Sequence, residues 1–147
     1  RAGKKTRTRA IHAKIRNQRK DMQHKFSTKL VRENAAIFVG NVSSKALIKT
    51  KMAKSVLDAG WSAFKTMLEQ KSQRAGIVFE EVNEAYSTQV CSCCGSIGSN
   101  SPKGMGALGI REWFCVDCGS AHDRDVNAAK NILARGHSRL AVGIPAL

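Results

Sequence analysis

The sequence predicts an α/β fold interrupted by a small cysteine-bearing insert, on three observations. Apolar residues recur at helical spacing in three segments, two short apolar runs read as strands, and two C-x-x-C-G knuckles precede the last helix. The resulting order is helix, strand, helix, strand, insert, helix. Two strands are too few for a doubly wound sheet, so the chain reads as part of a larger sheet domain.

The elements follow in order. Residues 1–8, RAGKKTRT, have no apolar period and are expected to be extended. Over 9–34, Ile11, Ile15, Met22, Phe26 and Leu30 recur near helical spacing with basic residues between them. This predicts a long amphipathic helix whose apolar stripe packs into the core. AAIFVGN (35–41) reads as a short buried strand closed by Gly40, and 42–51 as a polar, basic connection. A second helix is expected from about Met52 to Ala75, with Val56, Leu57, Trp61, Phe64 and Leu68 on one side and Gly76 as its stop. IVFEEV (77–82) is a second strand, expected beside the first. A final helix over 125–135 has Val126, Ala129, Ile132 and Leu133 as its apolar side.

Charge is the strongest bulk feature: the chain carries a net +14, and residues 1–32 hold 12 Lys and Arg against Asp21 alone. A cationic arm this dense fits a polyanion partner, DNA or RNA, with Lys14, Arg16, Arg19, Lys20 and Lys25 as candidate contacts. A solvated helix face is the plainer origin of such a run. A membrane surface fits less well, because the arm has no Trp and little apolar area. No apolar run is long enough to span a bilayer. The chain begins at Arg1, without an apolar signal segment, as the tail of a longer protein or a processed chain would. The expected location is the cytoplasm of a bacterium or archaeon, near the nucleoid.

The knuckles carry the clearest chemistry. Cys91 and Cys94 flank two residues, as do Cys115 and Cys118, and 20 residues separate the pairs. Zinc takes four thiolates in a tetrahedron, and C-x-x-C lets one tight turn present two of them. Gly95 and Gly119 follow directly and permit the backbone that aims amides at the sulfurs. The repeated Gly also fixes the register and leaves Cys93 as a free thiol. Disulfides are disfavoured by the odd count of five cysteines and the matched spacing. The expected site is structural zinc in a ribbon over 91–118.

The flanks narrow the reading further. AYSTQVCSCCG, the second knuckle CVDCG and HDRDVNAAKNIL, in this order, resemble the C-terminal end of the TnpB/OrfB family. HKFSTKLVREN, AIFVG and KTKMAKSVLDAGWSAFKTML extend the resemblance to nearly the whole chain, which is about the last third of a typical member. The family comprises transposon-encoded RNA-guided nucleases related to type V CRISPR effectors. The resemblance implies a partial RNase H-like, RuvC-type domain over 35–90 and 119–147, after a basic helix over 1–34, with the zinc ribbon inserted. It also implies a guide RNA partner and a site where carboxylates hold two Mg²⁺ ions, one activating water and one stabilising the leaving oxygen. The family's last carboxylate maps onto Asp125, with Asp123 and Asn127 beside it. An Asp at a helix start is also a common cap.

Two departures bear on activity. No strand carrying an Asp precedes Ala35, so this chain alone is expected to be inactive. Where the family places a Glu at the end of the AIFVG strand, this sequence has Gly40. VFEEVNEAY offers a replacement: Glu81 is the first choice and Glu84 the next, because acids in an apolar strand are costly to bury without a partner or a metal. Equally, Glu80 and Glu84 can be solvated strand-end charges, with Glu81 paired to a cation. The chain is thus expected to be part of an RNA-guided DNA endonuclease or a nuclease-dead nucleic-acid binder. An unrelated ribbon protein of transcription or translation is disfavoured by D-R-D-V-N-A-A.

Binding to DNA or RNA should show little sequence preference and fall steeply with salt. Neutralising Arg16, Arg19 and Lys20 together should flatten the slope of log K against log salt by about one per lost phosphate contact. An unchanged slope would move the contact surface elsewhere.

Overall fold

The computed structural model describes residues 2–41, 60–107 and 109–142. The expected 42–51 connection and the expected start of the second helix, residues 52–59, lie outside the described residues. The elements are α1 (Ala2–Glu33), β1 (Ala36–Gly40), α2 (Trp61–Ala75), β2 (Val78–Val82), a 3-10 turn (Met105–Ala107), β3 (Glu112–Phe114), β4 (Ala121–Asp123) and α3 (Arg124–Val142). This is an α/β chain in the order expected, with β4 unforeseen. It divides into two units, Arg1–Ile37 with Ser43–Phe79 and Phe38–Val42 with Glu80–Leu147, so the division runs through β1 and β2.

β1 and β2 are neighbours in a two-stranded sheet. They run parallel: Val78 N–H donates to Ala35 O at one end (3.2 Å) and Asn41 N–H to Val82 O at the other (3.0 Å). Parallel pairing requires a crossover between the strands, and α2 lies in that crossover. Gly76 ends α2 in the left-handed conformation at φ 68°, where a side chain would be strained.

In the first unit α1 packs on α2, but not through the expected stripe. Ile11, Ile15, Met22 and Phe26 are exposed, Phe26 by 51 %. The buried face is Gln23, Ser27 and Val31, one residue along, opposite Leu68 and Ser72 of α2. Ser27 and Ser72 are both fully buried, and such small side chains let two helices approach closely. Lys71 seals the contact: its ammonium donates to His24 O (2.7 Å), Ser27 Oγ (2.8 Å) and Thr28 Oγ1 (2.7 Å). Burial lowers the Lys71 pKa from its ordinary value. Hydrogen bonding therefore overrode the apolar period, leaving Phe26 to stack on Phe64 at 5.7 Å. α1 also begins at Ala2 rather than after residue 8. The Ala, Lys and Arg of that segment are strong helix formers, so a helix needs no apolar period there.

In the second unit α3 is longer than the expected 125–135, and its buried side is again polar. Val126 is 52 % exposed and Leu133 is exposed too, whereas Asn127, Asn131 and Gly136 are buried. Gly136 lies against Phe38 of β1: a Cβ there would fall on the Phe38 ring. β3 and β4 form an antiparallel pair with Glu112 opposite Asp123, Trp113 opposite His122 and Phe114 opposite Ala121. Its small core is Cys91, Trp113 and Cys115.

Gly136→Ala should test the helix–strand contact. Overpacking costs about 1–3 kcal/mol, and the better helix propensity of Ala offsets about 1 kcal/mol. A net loss of about 1 kcal/mol is expected in denaturant unfolding, whereas a gain would mean that the Phe38 ring swings aside.

Candidate functional site

The two knuckles fold alike. Gly95 N–H donates to Cys91 O (2.9 Å) and Cys91 N–H to Ser96 O (2.8 Å); Gly119 N–H donates to Cys115 O (2.8 Å) and Cys115 N–H to Ser120 O (2.9 Å). Both glycines have positive φ, 79° and 71°, which the turn requires. Their sulfurs meet: Cys91 to Cys118 and Cys94 to Cys115 are each 3.7 Å apart, and all four lie within 4.8 Å of one another. A tetrahedral ion with bonds of about 2.3 Å to sulfur needs sulfurs about 3.8 Å apart. The four thiols could therefore hold a metal ion, with two buried and two at the surface. Cys93 is exposed and outside the group.

The surroundings make the thiols unequal. Burial pushes the Cys91 thiol up to about 11, while His122 Nε2 lies 3.1 Å from its sulfur. Cys115 is lowered to about 6, first by the Ser96 hydroxyl and then by the backbone amide of Cys118. Trp113 packs on His122 with ring centroids 4.8 Å apart, fixing the imidazole against the site. Sequence reasoning missed His122, Ser96 and Ser120. The signal for the serines was present, since both knuckles continue Gly-Ser.

α3 joins this site to the end of β2 by a row of polar side chains four residues apart. Asn127 accepts from Ser92 N–H (2.9 Å) and donates to Val90 O (2.8 Å) and Ser87 O (3.3 Å). Asn131 donates to the same two carbonyls, each at 2.8 Å. Arg135 donates to Asn83 O (2.6 Å) and Ala85 O (2.9 Å). Arg139 donates to Glu81 O (3.1 Å) and pairs with the Glu80 carboxylate (2.9 Å). Positions 127, 131, 135 and 139 share one helix face. That spacing was the overlooked signal in the sequence.

The candidate carboxylates lie around this row. Asp123, not Asp125, caps α3: its Oδ1 accepts from the amides of Asp125 (3.0 Å) and Val126 (2.8 Å). Asp125 keeps an exposed carboxylate 3.4 Å from Arg111. Glu81 is exposed on β2. Glu84 is half-buried just past the strand, and its carboxylate lies over Gly40, where a Cβ at residue 40 would strike it. Burial raises the Glu84 pKa above its ordinary value. Among the described residues the four thiols are the one group of three or more His, Cys, Asp or Glu ligands close enough for a single ion; Asp125, Glu81 and Glu84 join no such group.

Of the basic candidates, Lys14, Arg16 and Lys20 are exposed on α1 and Arg19 is half-buried. Lys25 is exposed and pairs with Asp21 at 2.7 Å.

Residues 61–132 match the family model described as Cas12f1-like, TNB domain. A protein of Streptomyces pristinaespiralis, named for RNA-guided DNA endonuclease activity, is 40 % identical over 135 residues, covering 90 % of this chain and 32 % of that one. A TnpB-like protein of Acanthamoeba polyphaga mimivirus is 33 % identical over 135 residues, covering 87 % of this chain and 25 % of its own. The fold is similar to that of a Cas12f1 solved by cryo-electron microscopy with sgRNA and target DNA, at a TM-score of 0.66, 17 % identity, 84 % of this chain and 35 % of that one. This chain thus spans about a quarter to a third of these proteins' lengths.

Elemental analysis should find one metal ion per chain. Cys118→Ser should lose it and unfold the segment around it, while Cys93→Ser should keep it. Binding should weaken in acid, because protons compete for the thiolates. Loss of metal in Cys93→Ser would show that the register of the knuckles is wrong.

Proposed function

Because this chain belongs to the TnpB family, we propose that it is the C-terminal, RuvC-like portion of an RNA-guided DNA endonuclease. In this reading its four thiols hold structural zinc, since four closely spaced thiolates in a closed site suit that ion. The basic α1 binds nucleic acid through Lys14, Arg16, Arg19, Lys20 and Lys25. Part of a two-metal phosphodiester-cleaving site comes from Asp125 and one glutamate.

The observation that carries the proposal is the placement of Glu84 over Gly40. The family resemblance calls for a carboxylate at position 40, and the side chain that fills that space is itself a carboxylate. Even half-burial makes a charged carboxylate costlier, as its raised pKa reflects, and a divalent ion would relieve that cost. This favours Glu84 over the exposed Glu81. The capping role at the start of α3 belongs to Asp123, which leaves the Asp125 carboxylate exposed beside Arg111. Magnesium would activate the water and stabilise the negative charge on the leaving oxygen. This chain's carboxylates would supply hard oxygen ligands, completed by residues of a longer polypeptide.

A nuclease-dead binder is the second reading, favoured by Gly40 itself and by the absence of a three-carboxylate group among the described residues. The two readings separate in a cleavage assay of the chain joined to its natural upstream portion and guide RNA, with Mg²⁺. The enzyme reading expects cutting, and expects Asp125→Ala and Glu84→Ala each to reduce it by more than the roughly 10–100-fold typical of an outer-shell loss. Target binding should be unchanged, and the double variant should be little worse than either single one. Parental cutting by Glu84→Ala with loss in Glu81→Ala would return the role to Glu81. A complex that binds its target and never cuts would establish the binder.

A further inference from the structure

We propose that Arg135 is a positioning residue for the Glu84 carboxylate, gripping the backbone on both sides of it. The inference rests on the reading of Glu84 as a metal ligand. Its guanidinium donates to Asn83 O at 2.6 Å and to Ala85 O at 2.9 Å, the carbonyls immediately before and after Glu84. One nitrogen, Nη1, makes both bonds with its two hydrogens, and the planar guanidinium fixes the direction of each.

The rest of the Glu84 backbone is held as well. Its N–H donates to Asn41 Oδ1 at 3.3 Å, tying it to the residue that follows Gly40. Its carbonyl accepts from Ser87 N–H at 3.0 Å, closing a turn through Tyr86, whose φ of 62° is rare for an aromatic residue. Asn83 Oδ1 accepts from Ala85 N–H at 2.9 Å and so braces the same two residues that Arg135 holds. A segment that leaves a strand and carries a bulky residue at positive φ has no regular structure to keep its course. The grip of Arg135 fixes where Glu84 leaves the backbone, and hence whether its carboxylate reaches the space over Gly40. Asn127 and Asn131 hold 87–92 in a similar way, but they act beyond the turn and touch neither neighbour of Glu84.

The test has one arm on the metal-loaded chain and one on the guided endonuclease. In the chain, nuclear Overhauser effects between the Gly40 Hα and the Glu84 side chain should be present. They should vanish in Arg135→Met, which keeps the apolar stem, with metal content unchanged, and be intermediate in Arg135→Lys, whose shorter stem and freely rotating ammonium hold the two carbonyls less firmly. In the endonuclease, Arg135→Met should lower cleavage roughly 10–100-fold at unchanged target binding, as loss of an outer-shell partner does. Raised Mg²⁺ should recover part of the loss, and Arg135→Lys should fall between. Parental Overhauser intensity in Arg135→Met, or a cleavage loss indifferent to metal concentration, would overturn the inference. If Arg135→Met does not fold, Arg135→Lys decides: wild-type intensity and metal requirement would overturn it, intermediate values would support it. Cleavage at the parental rate by Glu84→Ala would sink the ligand reading instead, and the Overhauser result would still judge the grip.

Discussion

The constraint on which the second unit depends is the hydrogen-bonded row that α3 presents to the backbone of 81–92. Asn127, Asn131, Arg135 and Arg139 meet that segment in reverse order, from Ser92 and Val90 through Ala85 and Asn83 to Glu81. Backbone carbonyls outside helices and sheets must find partners when buried. This stretch has little regular structure after Val82, so α3 supplies them. The side chains are equally constrained: Asn127 is 1 % exposed and would be costly if its carboxamide were left unmet. Helix and segment therefore define each other.

That row has consequences at both ends. At its start, Asn127 holds the amide of Ser92 inside the first knuckle, two residues along the helix from Asp125. The four-thiol site is thus fastened to the helix that carries the proposed metal ligand, and β4 fastens it again through His122 on Cys91 and Asp123 at the cap. Farther along, Arg135 and Arg139 fix the exit from β2, where Glu84 turns over Gly40. A ribbon that looks peripheral in the sequence is in this way tied to the helix and segment that carry the proposed carboxylate ligands.

What the sequence revealed and what it hid divide along one line. The strands Ala36–Gly40 and Val78–Val82, the stop at Gly76 and the gathering of Cys91, Cys94, Cys115 and Cys118 were legible, because short apolar runs, a C-terminal glycine and C-x-x-C-G each have a local cause. The buried faces of α1 and α3 were not. In both helices most of the apolar period is exposed, with Leu30 and Ile132 half-buried, and the most buried positions are Gln23, Ser27 and Val31 in one and Asn127 and Asn131 in the other. Apolar residues left exposed on α1, including Met22 and Phe26, belong to a chain that spans about a quarter to a third of its relatives. The three-residue β4 was hidden because it is too short for a pattern, and it exists through its pairing with β3. The place of Glu84 over Gly40 was only half visible. Its distance along the chain from Gly40 carries no signal, and the contact follows from parallel pairing of β1 with β2.

The central claim is that the polar row of α3, rather than an apolar face, holds the cysteine site in place. The rate at which the zinc-loaded chain releases its ion to a chelator tests this in Asn127→Ala against the wild type. Asn127 touches no sulfur, so a site supported by its own four ligands would release metal at the wild-type rate, and that result would contradict the account. If the row is the support, release should be faster by roughly 10–100-fold, the range expected for loss of an outer-shell partner.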